Sequence, residues 1–153
     1  MEIRIGKSKV GDNCPAFIVA EMSANHGHDL NKATELVYAA KEAGANAIKL
    51  QTYTADTLTL NHKSKDFFIN KGPWKGRYMY DLYKDAYTPW EWHAQLLELA
   101  NKIDISLFST PFDPTAVDFL EELEVQAYKI ASPEVIDIPL IRKVAQTKKP
   151  III

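Results

Sequence analysis

Two lysines that end apolar runs are the residues of this sequence with the clearest chemical potential. Lys49 follows Ala47-Ile48, and Lys129 follows Ala127-Tyr128. A lysine within a buried strand is costly unless an opposite charge accompanies it. The two lysines therefore predict a site for an anion such as a phosphate or a carboxylate. The alternative is that each lysine only extends from a strand end into water.

Further polar residues lie close to these lysines in the chain. Gln51 shares a strand face with Lys49, because side chains two residues apart point the same way. Ser132 and Glu134 follow Lys129. A hydroxyl there can bind an anion, and a carboxylate can move a proton or hold a sugar hydroxyl. The alternative is that Ser132-Pro133-Glu134 is only the turn that enters a helix.

Two more apolar runs end in polar residues. Glu21 ends the first run and is followed by Asn25 and His26, while Ser109 and Thr110 end the third run and could donate to a phosphate. His26 and His28 have a spacing that can ligate a metal. Two histidines in a turn more often only make hydrogen bonds, so we predict no metal ligand in this chain.

Strands and helices that alternate along the chain must position these residues. The hydrophobic pattern predicts strands at 16–21, 46–51, 105–109 and 126–131, and a fifth strand that begins at 150. It predicts helices at 30–43, from 89 to 102, from 114 to 123 and at 138–146. Thr88-Pro89-Trp90-Glu91 reads as a capping box for the second helix, and Asp113 as the cap of the third.

Two segments fall outside this alternation. Residues 2–14 are predicted to form a hairpin with a turn near Gly11-Asp12. Residues 53–87 are aromatic and basic, and they predict either a lid or a mobile loop with a short helix near 77–84.

The predicted fold is an α/β (β/α)8 TIM barrel, of which residues 1–153 supply about the first half. The turn after the first strand lacks the GxGxxG pattern of an open dinucleotide-binding sheet. Reactive residues at several strand ends favour a barrel, in which catalytic residues come from the carboxyl ends of the strands. Pro150 followed by three isoleucines reads as a core strand, so we expect a fragment of a longer protein.

The composition excludes several classes of function. The chain has 153 residues, a net charge of −2 and no apolar run near the length of a membrane span. Nucleic-acid binding usually needs a basic excess, which is absent here. Cys14 is the single cysteine, and no signal peptide is apparent. We therefore predict a cytoplasmic protein that binds neither nucleic acid nor membrane.

Taken as an ordered set, the strand ends resemble the sialic acid synthase family. The resemblance rests on 17–21 with Asn25-His26, on Lys49-Leu50-Gln51-Thr52, on 108–113 and on 128–134. Ser23-Ala24-Asn25-His26, 52–57 and 82–92 are most similar to the pseudaminic acid synthase branch of that family.

The resemblance implies an enzyme that condenses phosphoenolpyruvate with an open-chain amino sugar and releases phosphate. For that branch the sugar is 2,4-diacetamido-2,4,6-trideoxy-altrose. The implied catalytic residues are Glu21, Gln51, Lys129 and Glu134. The implied substrate-binding residues are Lys49, Thr110, Ser132, Asn25 and His26.

The resemblance also implies features beyond this chain. The family uses a divalent metal, manganese or magnesium, as a Lewis acid, with histidine ligands on later strands. It forms a homodimer in which a small C-terminal antifreeze-like domain covers the partner's site. We therefore expect the 153-residue chain to be inactive by itself.

Three other readings stay open at this point. The sugar substrate could be that of a neuraminic or legionaminic acid synthase. Lys49 or Lys129 could form a Schiff base, as in an aldolase. The chain could also be a truncated, non-catalytic protein that only binds ligands.

Overall fold

A short antiparallel hairpin precedes the main sheet in the computed structural model, which describes residues 2–153. Its strands are β1 (Glu2–Ile5) and β2 (Ser8–Gly11), so the predicted hairpin is confirmed, but its turn does not lie near Gly11-Asp12 as predicted. The chain reverses at Gly6-Lys7, where Gly6 takes the left-handed conformation with φ 57°. Gly11 and Asp12 belong to a second turn, which the amide of Cys14 closes by donating to the carbonyl of Gly11.

Five parallel strands follow, and they lie side by side in chain order. They are β3 (Val19–Glu21), β4 (Ala47–Thr52), β5 (Ser106–Pro111), β6 (Tyr128–Lys129) and β7 (Ile151–Ile152). A doubly wound open sheet reverses its strand order at a switch point. The unbroken order of this sheet instead matches the first half of a (β/α)8 barrel, as predicted from the sequence.

Six α-helices connect and cover these strands. They are α1 (Leu30–Glu42), α2 (Ala55–Leu58), α3 (Met79–Ala86), α4 (Trp90–Lys102), α5 (Pro114–Glu122) and α6 (Ile138–Gln146). Aspartates cap three of them: the carboxylates of Asp29, Asp113 and Asp137 each accept from a free amide in the first turn. The predicted cap at Asp113 is thus confirmed.

The sheet has two faces with different partners. Ile48, Leu50 and Leu107 point outward and pack against α1 and α4. Ala47, Phe108 and Ala127 point inward and pack against Ile5 of the hairpin. The hairpin therefore covers the apolar lower part of the barrel interior, which leaves the polar strand ends at the opposite side.

Several predicted elements have other bounds than the sequence indicated. The first strand is shorter than 16–21, and the fourth is confined to Tyr128–Lys129. The segment 53–87 is more ordered than a loop, because it contains α2, a 3-10 helix at Lys65–Phe67 and α3. The capping box at Thr88 is wrong: α4 begins at Trp90 and has no side-chain cap.

Candidate active site

Five of the predicted site residues share the inner face of the sheet at its carboxyl end: Glu21, Lys49, Gln51, Thr110 and Lys129. The strand register pairs Glu21 with Lys49 and Gln51 with Thr110. It also pairs Ser109 with Tyr128, so that the next residues, Thr110 and Lys129, point to the same side. Four strands therefore contribute to one polar region above the apolar lower layer.

An ion pair joins the first two strands of this region. The Nζ of Lys49 lies 3.1 Å from the Oε1 of Glu21. Lys49 is almost completely buried, whereas 65% of the Glu21 side chain is exposed. The ion pair offsets the cost of burying the ammonium group. The carboxylate of Glu21 itself stays accessible to water or to a ligand.

Thr110 presents a hydroxyl that has no hydrogen-bond partner in the described part of the chain. The residue is 1% exposed, and its Oγ1 has no hydrogen-bond partner within residues 2–153. Leaving a buried hydroxyl without a partner costs about 1–3 kcal/mol. An unsatisfied donor that faces the barrel interior is well suited to bind an oxygen of a ligand.

The turn after β6 carries the next two predicted residues. Ser132 and Glu134 lie on a 3-10 helix at Ser132–Ile136, which leads into α6. The segment is therefore a turn that enters a helix, and it also lies close to Lys129 in the chain. Ser132 is exposed. The Oε2 of Glu134 is buried and has no partner within the described chain. Burial raises the pKa of Glu134, and the charge of Lys129 acts in the opposite direction.

Asn25 and His26 follow β3 but differ in their surroundings. Asn25 is exposed, whereas His26 is 0% exposed. Its Nδ1 accepts from the backbone amide of His28, and its Nε2 lies 3.2 Å from the Oγ1 of Thr88. Burial is the main cause that lowers the pKa of His26. A substrate could reach this imidazole only if the surrounding packing changed.

Ser109 does not face the ligand region, contrary to the expectation that it acts with Thr110. Adjacent residues on a strand point to opposite faces, so only one of the two can face the interior. Ser109 is buried on the outer face, where its Oγ lies 2.6 Å from the Oγ1 of Thr52.

His93, which was not predicted from the sequence, extends this outer hydrogen-bonded group. Its Nε2 lies 2.9 Å from the Oγ1 of Thr52, and its Nδ1 lies 3.2 Å from the carbonyl oxygen of Pro89. Burial lowers the pKa of His93 to about 4. A signal was present: His93, Leu96 and Ala100 have helical spacing, which places His93 on the buried face of α4.

Residues 2–153 do not fit a metal site by themselves. No group of three or more His, Cys, Asp or Glu side chains in this range could hold a metal ion.

The described helices include none that is long and apolar enough to cross a bilayer.

Known proteins are similar to this chain over most of its length. A model of the NeuB family matches residues 36–153. The chain belongs to the NeuB family. A pseudaminic acid synthase of Helicobacter pylori is 52% identical over 139 residues, which cover 91% of this chain and 41% of that protein. An N,N'-diacetyllegionaminic acid synthase of Legionella pneumophila is 41% identical over 143 residues, which cover 94% of this chain and 40% of that protein.

A solved structure supports the same assignment. The N-acetylneuraminic acid synthetase of Leptospira borgpetersenii, in complex with citrate, aligns with a TM-score of 0.83 and 33% identity. The alignment covers 99% of this chain and 48% of that one. The resemblance to the sialic acid synthases and the half-barrel fold are therefore confirmed. The chain spans less than half the length of these relatives.

Proposed function

We propose that this chain supplies the first half of the barrel of a pseudaminic acid synthase. The observation that carries the proposal is the higher identity to the pseudaminic acid synthase than to the legionaminic acid synthase over nearly the same residues. The substrates in this proposal are phosphoenolpyruvate and 2,4-diacetamido-2,4,6-trideoxy-altrose. The polar inner face of the sheet supports the proposal, because its residue types fit these two molecules.

Phosphoenolpyruvate carries a phosphate and a carboxylate, so it needs cations and hydrogen-bond donors. Lys49 and Lys129 would provide the positive charges. The hydroxyl of Thr110, which has no partner within residues 2–153, would donate to a phosphate oxygen, as would the exposed hydroxyl of Ser132. Gln51 lies beside Thr110 in the register and would bind the sugar there. The exposed side chain of Asn25 belongs to the same proposed site.

The proposed reaction forms one carbon–carbon bond and replaces the C2–O bond to phosphate by a bond from C2 to the oxygen of water. C3 of phosphoenolpyruvate attacks the aldehyde carbon of the open-chain sugar, and the aldehyde oxygen takes up a proton. Water then adds at C2 and loses a proton. The C2–O bond to phosphate breaks, the hydroxyl left at C2 gives its proton to the departing inorganic phosphate, and C2 becomes a ketone.

Glu134 and Glu21 have different roles in the proposed reaction. Burial raises the pKa of Glu134, so its carboxyl holds a proton more readily than that of an exposed glutamate and would supply the proton to the aldehyde oxygen. Glu21 is ion-paired with Lys49 and would orient water or sugar near the positive charge that develops at C2.

The complete protein is part of the proposal as well. We propose a cytoplasmic homodimer that uses manganese or magnesium, with metal ligands outside the described residues. A bound divalent ion would supply Lewis-acid chemistry at the sugar aldehyde. The C-terminal antifreeze-like domain and the inactivity of residues 1–153 alone belong to the same proposal.

Phosphate release by the complete gene product tests the proposal. The assay compares the 2,4-diacetamido-2,4,6-trideoxy-altrose with the sugar substrates of legionaminic and neuraminic acid synthases, each with phosphoenolpyruvate. We expect turnover with the first sugar and little with the others. Preference for another sugar would transfer the assignment to that synthase, and no release with any sugar would favour a non-catalytic protein.

Borohydride trapping with pyruvate tests the alternative that the protein is a Schiff-base aldolase. A Schiff-base lysine must lose its proton to attack a carbonyl, whereas an ion-paired Lys49 suits the binding of an anion. We therefore expect no mass adduct. A pyruvate adduct on Lys49 or Lys129 would contradict the synthase mechanism.

A further inference from the structure

Three buried polar side chains interrupt an otherwise apolar layer behind the site. The outer face of β4 and β5 packs through Ile48, Leu50 and Leu107 against α1 and α4. At the carboxyl ends of the two strands the same face carries Thr52 and Ser109, and α4 contributes His93. All three residues are at most 1% exposed.

The hydrogen bonds among these residues have one consistent direction. The carbonyl of Pro89 can only accept, so the Nδ1 of His93 carries the proton and donates to it. The Nε2 of the neutral imidazole then accepts from the Oγ1 of Thr52. The Oγ1 of Thr52 in turn accepts from the hydroxyl of Ser109. In this row of hydrogen bonds, the Nδ1 proton of His93 and the hydroxyl protons of Thr52 and Ser109 each have an acceptor.

Thr52 and Ser109 are each adjacent in sequence to a residue of the proposed site. Thr52 follows Gln51 on β4, and Ser109 precedes Thr110 on β5. The register places Gln51 opposite Thr110 on the inner face. A shift or twist of either strand end would therefore move both side chains relative to a ligand.

Resting on the proposed function, we infer that His93, Thr52 and Ser109 are positioning residues that hold Gln51 and Thr110 in place for phosphoenolpyruvate and the sugar. The backbone hydrogen bonds of the sheet set the register of β4 and β5, whereas the contacts of the sheet with α4 are mostly apolar. Apolar contacts tolerate small shifts, but a hydrogen bond requires a defined distance and angle. The hydrogen bonds from His93 through Thr52 to Ser109 thus fix the two strand ends relative to α4. Misplacing a binding group by about 1 Å can cost up to a hundredfold in rate.

The test uses the complete gene product and the substitutions Thr52→Val, Thr52→Ser and Thr147→Val. Valine keeps the shape of threonine but removes the hydroxyl, and serine keeps the hydroxyl. Thr147 is the control, because its Oγ1 donates to the backbone carbonyl of Val144 at the end of α6, away from the strands that carry site residues. The readouts are the Kd for phosphoenolpyruvate by calorimetric titration and the melting temperature.

We expect both valine variants to lower the melting temperature. Only Thr52→Val should weaken phosphoenolpyruvate binding, by about tenfold, and Thr52→Ser should restore the wild-type Kd. An unchanged Kd in Thr52→Val, or an equal loss in Thr147→Val, would overturn the inference. If Thr52→Val does not fold, the Kd of Ser109→Ala for phosphoenolpyruvate decides instead. This substitution removes only the hydrogen bond between Ser109 and Thr52, next to Thr110.

The same samples separate this inference from the proposed function. A wild-type protein that binds phosphoenolpyruvate but releases no phosphate with any sugar would overturn the proposed function, and the comparison of Kd values would still decide the positioning role. A wild-type protein that does not bind phosphoenolpyruvate would overturn both.

Discussion

Glu21 and Lys49 are direct register partners on neighbouring parallel strands, and their charged groups are 3.1 Å apart at the carboxyl end of the barrel interior. The lysine is buried, whereas the carboxylate remains largely exposed. This asymmetry distinguishes the pair from a purely structural salt bridge. The buried cation is held in place by a partner that water or a ligand can still approach.

Replacing Lys49 by methionine should impair ligand binding more than folding. Methionine fills a similar volume, and the exposed Glu21 can be solvated by water after its partner is removed. The loss of a charge-assisted hydrogen bond costs about 1.5–3 kcal/mol, so phosphoenolpyruvate should bind roughly tenfold to a hundredfold more weakly. Calorimetric titration of the complete gene product measures this change.

Lys9 provides the control for this substitution. Its Nζ lies 3.0 Å from Glu2 in the hairpin, and both side chains are about half exposed. Lys9→Met should leave the Kd for phosphoenolpyruvate unchanged. An equal loss in both variants would mean that the effect reflects overall charge rather than the position of Lys49.

Replacing Thr110 by valine should change stability and binding in opposite directions. The substitution removes a buried hydroxyl that lacks a partner within residues 2–153, so the free energy of unfolding should stay constant or rise. Phosphoenolpyruvate should bind at least about tenfold more weakly, because the phosphate loses a donor. Thr110→Ser should retain the affinity. Unchanged affinity in Thr110→Val would show that the hydroxyl does not contact the ligand.

The sequence was sufficient to predict the inner face of the sheet. Apolar runs that end in Glu21, Lys49 and Lys129 identify strand ends, and the alternation of side chains places Gln51 beside Lys49. Parallel strands then bring these ends together, because all of them finish at the same edge of the barrel.

The polar contacts behind the sheet could not be predicted in the same way. Which of Ser109 and Thr110 faces inward depends on the register of β5, which the chain fixes only through tertiary packing. The Thr88 motif satisfies the local pattern of a capping box, yet its hydroxyl bonds His26, 62 residues away in the chain. A distant buried partner took precedence over the local helix cap.

Glu134 should control the pH dependence of turnover. Burial raises the pKa of this carboxyl, so the folded protein retains its proton at a pH where a free glutamate would ionise. Because Glu134 is the proposed proton donor, the enzyme should lose activity as the pH rises through the raised pKa of this residue. Glu134→Gln should reduce kcat by about 10²–10⁴-fold and remove this limb of the profile of kcat against pH.

The exposed Glu122 provides the control for that experiment. Glu122→Gln changes the net charge by the same amount but lies on α5, outside the proposed site. It should leave both kcat and the pH profile unchanged. A Glu134→Gln variant that keeps the wild-type limb would assign the proton transfer to another group.

The buried His93 should make the protein less stable as the pH falls below neutral. Its folded-state pKa is about 4, against 6.5 for an exposed histidine, so below pH 6.5 the unfolded state binds a proton that the folded state does not. Stability is therefore lost from about pH 6.5 down to about pH 4. Between pH 7 and pH 5 the loss attributable to His93 should be about 2 kcal/mol.

Urea unfolding of the complete gene product at pH 7 and pH 5 measures this loss. In His93→Gln the side chain does not titrate but can still accept from Thr52, so the fall in the free energy of unfolding should shrink by about 2 kcal/mol. His26 has a lowered pKa as well and remains in both proteins, so its contribution cancels in the difference. The exposed His62 is the control, and His62→Gln should show the full wild-type fall. Equal falls in the wild type and in His93→Gln would mean that His93 is protonated in the folded state near its ordinary pKa, and its Nε2 would then donate to Thr52 instead of accepting from it.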